Sequence, residues 1–206
     1  MSDISEHYGG SIMAMKGDGC VAIATDRRMG NGFQTQVTNY PKIERVSKFA
    51  MVALSAFAPD CQMLQKTLKY ESNLYTLEQG REIRAMQLTR LLSSMLYEKR
   101  FTGGWYVSPI VAGLDDNNQP YVGAMDGLGA TTDGDDWVVD GTAHEYLLGP
   151  AQFYYKKGMN KQQLLETVTT VMQAGTNRDA LSGWGIDVWI MDVNGMEIHH
   201  QTCRMD

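Results

Sequence analysis

The hydrophobic period of this chain switches repeatedly between two and about 3.6 residues, and the order of the switches leaves few ways to bury its apolar faces. Ser11 to Lys16 and Cys20 to Thr25 read as paired strands around Gly17-Asp18-Gly19, a hairpin turn in which glycine accepts positive φ. Lys42 to Ser47 and Phe49 to Ala56 form a second tight pair. Pro59-Asp60 opens a long helix that ends near Gly80, with Leu64, Leu68 and Tyr75 on one stripe and Met63, Thr67 and Leu74 beside it. The next helix carries Leu88, Leu91, Leu92, Met95 and Leu96, and Lys99-Arg100 suit the negative pole of its dipole. Strands return at Tyr106 to Leu114, at Tyr121 to Asp126 and at Trp137 to Asp140. Gly141-Thr142-Ala143-His144 then leads into a short helix, and a further helix bears Leu164, Leu165, Val168, Val171 and Met172. Trp184 to Val193 and Met196 to Thr202 close the chain around Asn194-Gly195. Strands, two helices, strands, two helices and strands use every apolar face when two sheets pack together with a helical layer outside each. The expected fold is α+β, a four-layer α-β-β-α sandwich. At 206 residues, without repeat, low-complexity stretch or linker, residues 1–206 read as one domain with a short leader at 1–9.

Composition narrows the partners. A net charge of −6 argues against a phosphate-backbone partner, and Arg27-Arg28 is too short to make a basic patch. No apolar run approaches the about 20 residues that span a bilayer, and no basic-then-apolar signal opens the chain, so the expected location is cytoplasmic and nuclear. Cys20, Cys61 and Cys203 are widely spaced with no CxxC pairing, which reads as reduced structural thiols. His199 and His200 are neighbours on a strand and point to opposite faces, so they do not share a metal.

The chemistry-bearing residues are Asp26 at the end of a strand and Lys42 sixteen residues later. A hydrolase with an amino-terminal threonine needs such an acid and lysine to perturb the proton equilibria of a hydroxyl on the first strand. The residue sixteen before Asp26 is Gly10, which has no side chain and therefore no attacking oxygen. Without chemistry, Asp26 and Lys42 make an internal ion pair that persists because removing one partner strands the other charge.

Ile12-Met13-Ala14, Asp26, Lys42, Gly141-Thr142 before Tyr146 and Gly149, and Arg178-Asp179-Ala180-Leu181-Ser182-Gly183 together resemble a proteasome beta subunit over nearly the whole chain. The 37-residue interval from Thr142 to Asp179 matches the family's supporting serine and aspartate. The resemblance implies the N-terminal nucleophile hydrolase fold and a place in a 28-chain assembly of stacked alpha and beta rings that degrades protein in an enclosed chamber. Tyr8 to Arg28, Leu96 to Phe101 and Arg204 to Asp206 most resemble a subunit type that lacks the catalytic threonine and is made without a cleaved propeptide. On that reading Gly10, Asp26, Lys42, Thr142, Asp179 and Ser182 are a vestigial framework, with Thr142 in place of the usual serine. The implied neighbours are the beta type-2 and type-4 subunits. Asp126 resembles an acidic residue lent to the substrate channel of the trypsin-like beta type-2 neighbour, and Ala130 stands in that wall where the family often has cysteine; Asp126 reads equally as an exposed aspartate at a strand end. No cofactor is required, and a structural magnesium ion at a subunit interface, held by loop carbonyls near Asp179 and by Asp206 of the facing ring, is a further implication. The competing enzyme reading is a self-processing peptidase using Ser11, freed by cleavage after Gly10. A one-residue shift on a strand turns Ser11 away from Lys42 unless a bulge near Gly17 or Gly19 restores the register.

Overall fold

The computed structural model describes residue 4 and residues 6–205. Its first sheet has the order β10-β1-β2-β11-β12, built from β1 (Ser11–Lys16), β2 (Cys20–Asp26), β10 (Trp137–Gly141), β11 (Ile186–Asp192) and β12 (Gly195–Gln201). The second has the order β5-β6-β7-β8-β9, from β5 (Ile43–Arg45), β6 (Ala50–Ala56), β7 (Val107–Leu114), β8 (Pro120–Met125) and β9 (Thr131–Asp133). All the ladders within these two sheets are antiparallel. Helices α1 (Ala58–Gln79) and α2 (Ala85–Lys99) cover the second sheet, and α3 (His144–Tyr154) and α4 (Lys161–Thr176) cover the first.

Strand alternation explains the layering. On β1, Ile12 and Ala14 face inward and meet Met51, Ala53, Ile110 and Ala112 of the other sheet. Met13 and Met15, one residue out of phase, pack outward with Leu147, Leu164, Val168 and Met172 of the helices. The second sheet repeats the scheme, with Val52, Leu54 and Val111 set against Leu64, Leu68, Leu88 and Leu92. A sheet covered on both faces has no solvated side to give a polar alternation, so β1, β2 and β6 read as unbroken apolar runs. The α-β-β-α order expected from the sequence is the order observed.

Local details differ from expectation. On α1 the buried stripe is narrower, with Leu64 and Leu68 inside while Met63 is 53% exposed and Leu77 83%. The ribbon β3 (Met29–Asn31) and β4 (Gln34–Val37) has no counterpart in the periodicity, because Gln34 to Val37 are all exposed and only the Asn31-Gly32 turn announces it. The strand expected from Trp184 begins at Ile186, since Gly183, Trp184 and Gly185 all have positive φ. Among the described residues no helix is long and apolar enough to cross a membrane.

Candidate functional site

Position 10 lies at the mouth of the gap between the sheets, where β1 starts. A Cβ placed on Gly10 would lie 2.9 Å from Lys42 Nζ and 3.5 Å from Asp26 Oδ1, so this is the position from which a side chain would reach the acid and the lysine. Asp26 is fully buried, and each of its oxygens accepts two hydrogen bonds. Oδ1 takes Lys42 Nζ at 2.5 Å and the Ser11 amide at 2.9 Å; Oδ2 takes the amides of Arg28 and Gly183, both at 3.1 Å. Lys42 Nζ also donates to the Arg28 carbonyl at 2.7 Å. Four donors converge on this one buried carboxylate and satisfy both of its oxygens.

Across the start of β1 a second network converges on Asp179. Thr142 Oγ1 and Ser182 Oγ each donate to Asp179 Oδ2 at 2.6 Å, and the Leu181 amide donates to Oδ1 at 3.0 Å. Ser182 has spent its only proton there, so in the 2.6 Å contact between Ser11 Oγ and Ser182 Oγ the donor is Ser11. The Gly10 amide donates to Thr142 Oγ1 at 3.3 Å, and the Thr142 amide returns a bond to the Gly10 carbonyl at 2.9 Å. The structure therefore brings Gly10, Asp26, Lys42, Thr142, Asp179 and Ser182 together, the set that the family resemblance implies.

Ser11 is fully buried, and its hydroxyl is committed to Ser182 rather than to Lys42. The β1–β2 register runs without interruption from Ile12 opposite Thr25 to Lys16 opposite Val21, so no bulge restores Ser11 to the lysine side. Gly17 serves a different purpose: a Cβ there would come within 2.7 Å of the Met159 carbonyl oxygen.

Arg28 is the contributor that sequence reasoning missed. Only 2% exposed, it donates from Nη1 to the Leu181 carbonyl at 3.0 Å, from Nη2 to the Gly32 carbonyl at 2.9 Å and from Nε to Thr35 Oγ1 at 2.9 Å. It ties the Asp179–Ser182 loop to the β3–β4 ribbon and to the main chain that holds Lys42. Its place straight after Asp26 was the available signal.

Asp126 and Ala130 lie apart from this cluster, exposed at the β8–β9 turn. Asp126 Oδ1 accepts the amides of Leu128 and Ala130, both at 2.9 Å, and Ser93 Oγ fixes the turn by donating to the Gly129 carbonyl at 2.6 Å. Asp206 lies outside the described residues, and among those residues no group of three or more His, Cys, Asp or Glu is placed to hold a metal ion. The Leu181 carbonyl accepts from Arg28 Nη1 at 3.0 Å and the Asp179 carbonyl from Arg204 Nη2 at 3.4 Å. The expected magnesium ion rests in part on Asp206, and no step is routed through one. The three cysteines are free; Cys61, whose thiol burial pushes up to about 12, donates to the Ser55 carbonyl. His200 pairs with Asp187 at 2.7 Å and His199 with Glu197 at 3.4 Å, on separate partners.

A helix-covered double sheet with an acid, a lysine and a Thr-Asp-Ser cluster around the start of its first strand matches a known family along nearly its full length. The model of the proteasome subunit family matches residues 6–191, and the chain belongs to that family. Within it, the chain is similar to proteasome subunits beta type-3. It is 38% identical to that of Oryza sativa subsp. japonica over 88% of this chain and 89% of the relative. It is 37% identical to the type-3-A subunit of Arabidopsis thaliana over 98% and 99%, and 39% identical to the type-3 subunit of Dictyostelium discoideum over 91% and 92%.

Proposed function

We propose that the chain is a non-catalytic subunit of the 20S proteasome beta ring, a wall of the degradation chamber that performs no hydrolysis itself. The observation that carries this reading is the direction of the missing side chain at Gly10: it would point at Lys42 Nζ and Asp26 Oδ1, and glycine presents no oxygen there. The supporting groups remain because they hold the start of β1 together. The Ser11 hydroxyl, next in sequence to Gly10, is buried and bonded to Ser182, which speaks against the self-processing peptidase.

In this role the partners are the other alpha and beta subunits of a 28-chain particle, with beta type-2 and type-4 as ring neighbours. Asp126 and Ala130 would face the type-2 neighbour's channel. With Oδ1 held by two backbone amides, the Asp126 carboxylate presents a fixed negative charge that favours basic substrate side chains. Exposed Met63, Tyr70, Leu77, Phe101 and Phe153 supply apolar area for subunit contacts. Affinity purification through this chain from its own cells tests the assembly. The expected result is copurification of a full set of alpha and beta subunits in one high-mass species. Recovery of the chain as a stable, monodisperse monomer contradicts it.

A further inference from the structure

At the end of β1 remote from Gly10, the turn from α3 to α4 packs against the β1–β2 hairpin, and the Met159 carbonyl accepts the Asp18 amide at 2.7 Å. This turn and the start of α4 frame a cleft of about 720 Å³, within the range of about 300–1,000 Å³ common to pockets that take a ligand. Its lining is of two kinds. Phe153, Tyr154 and Met159 make an apolar wall, and Lys156 and Lys157 make a basic rim.

Neither the aromatic pair nor the lysines are engaged inside the chain. Phe153 is 77% exposed, and its ring stands edge to face with that of Tyr154 at 5.0 Å, so the aromatic surface is held in place before anything meets it. Lys42, Lys48 and Lys161 each pair with a carboxylate, whereas Lys156 and Lys157 pair with none among the described residues. Both lie beyond α3, where the backbone is already extended at Tyr155, so they do not serve the negative pole of that helix. Of the acids nearby, Glu166 accepts from Gln162 Nε2 at 2.7 Å, and Asp136 is hydrogen-bonded to Tyr155. The first turn of α4 carries no acid, so its positive pole adds to the sign of the rim. In a chain of net charge −6 the cleft is a local reversal of sign.

We infer that this cleft is a docking site for an extended acidic segment of a partner protein, with one large apolar side chain set against Phe153 and Met159 and carboxylates on either side of it meeting Lys156 and Lys157. Charge decides the occupant: the aromatic wall alone accepts any apolar peptide, while two unpaired ammonium groups favour an acidic one and turn a basic one away. A nucleic acid fits less well, because two lysines are too few to follow a phosphate backbone. Exposed ion pairs add little to affinity, so the wall holds and the lysines select. The inference goes beyond the assembly proposed above and rests on side chains at the opposite end of β1 from the Gly10 cluster.

The test is photo-crosslinking of the full chain, in the complex that carries it, read by the mass of its adducted peptides. The probe is an acetylated, amidated pentapeptide in which p-benzoylphenylalanine is flanked on each side by two glutamates; a second probe has lysines in place of the glutamates. The acidic probe is expected to form adducts within 153–167, and the basic one to form few there. The double variant Lys156→Glu/Lys157→Glu is expected to lower acidic adducts by about tenfold and to raise basic ones, while Lys156→Arg/Lys157→Arg keeps the original preference. Phe153→Ala is expected to weaken both probes without exchanging their order. The inference is overturned if no adduct falls within 153–167, if the two probes label the unmodified chain equally, or if the double charge reversal leaves their order unchanged. It is likewise overturned if a single-stranded oligonucleotide of the same charge displaces the acidic probe more effectively than the unlabelled acidic peptide does.

Discussion

Asp26→Ala is expected to destabilise the chain by about 4 kcal/mol or more, a large share of the roughly 5–15 kcal/mol that holds a domain together. The substitution removes the acceptor for three main-chain amides, those of Ser11, Arg28 and Gly183, and for an ammonium group whose side chain is 3% exposed. Each buried donor left without a partner costs about 1–3 kcal/mol, and the charged one costs most. Lys42→Met is expected to cost less, about 3 kcal/mol, because Asp26 then keeps its three amide donors. This order separates two accounts of the site. If the ion pair alone mattered, both substitutions would cost the same; if Asp26 is the hub on which three segments of chain converge, its loss is the larger. Urea denaturation of the full chain gives the comparison. Where a variant is not recovered alone, its share of assembled particle relative to the unmodified chain ranks the two.

Gly141→Ala is the other severe substitution, expected to cost at least about 3 kcal/mol through backbone that cannot yield. Gly141 pairs with Ser11 at the end of the β10–β1 ladder with φ +93. A Cβ there would overlap the Gly10 carbonyl oxygen and stand 3.0 Å from Ser11 Cα, neither of which can rotate away as a side chain would. The relief is to part β10 from β1, which breaks the Thr142–Gly10 main-chain bond and carries Thr142 away from Asp179. Gly19→Ala is the control: its φ is +64 but nothing lies within 4 Å, so only the conformational penalty of about 1 kcal/mol remains. Similar losses for the two variants, read from thermal denaturation, would mean that β10 and β1 are not packed as closely as described.

How much of this was legible in the sequence depends on whether a residue's role is written in period and spacing or in contacts made at a distance. The sandwich was legible because Ile12 and Met13 are both apolar and must each find a partner on opposite faces, which requires cover on both sides of the strand. The site was legible where family spacing carried it: Asp26, Lys42, Thr142, Asp179 and Ser182 all converge on Gly10. The burial of Arg28 was legible only through its place straight after Asp26, since two of its three acceptors are main-chain carbonyls, at 32 and 181, that any residue type supplies. The β3–β4 ribbon was not legible, because its outer strand β4 is exposed throughout and lacks the apolar alternation that marks a half-buried one. Met63 and Leu74 show the opposite error: an apolar residue beside a buried stripe is indistinguishable in sequence from one reserved for another surface.

The central claim is that position 10 offers no oxygen to a peptide bond and that the chain is never opened there. The most direct measurement is the intact mass of this chain, recovered from its complex after exposure to an electrophile that captures amino-terminal threonine or serine. The account predicts a single unadducted mass that still includes residues before Ser11. An adduct on this chain, or a terminus newly formed at Gly10 or Ser11, would contradict it.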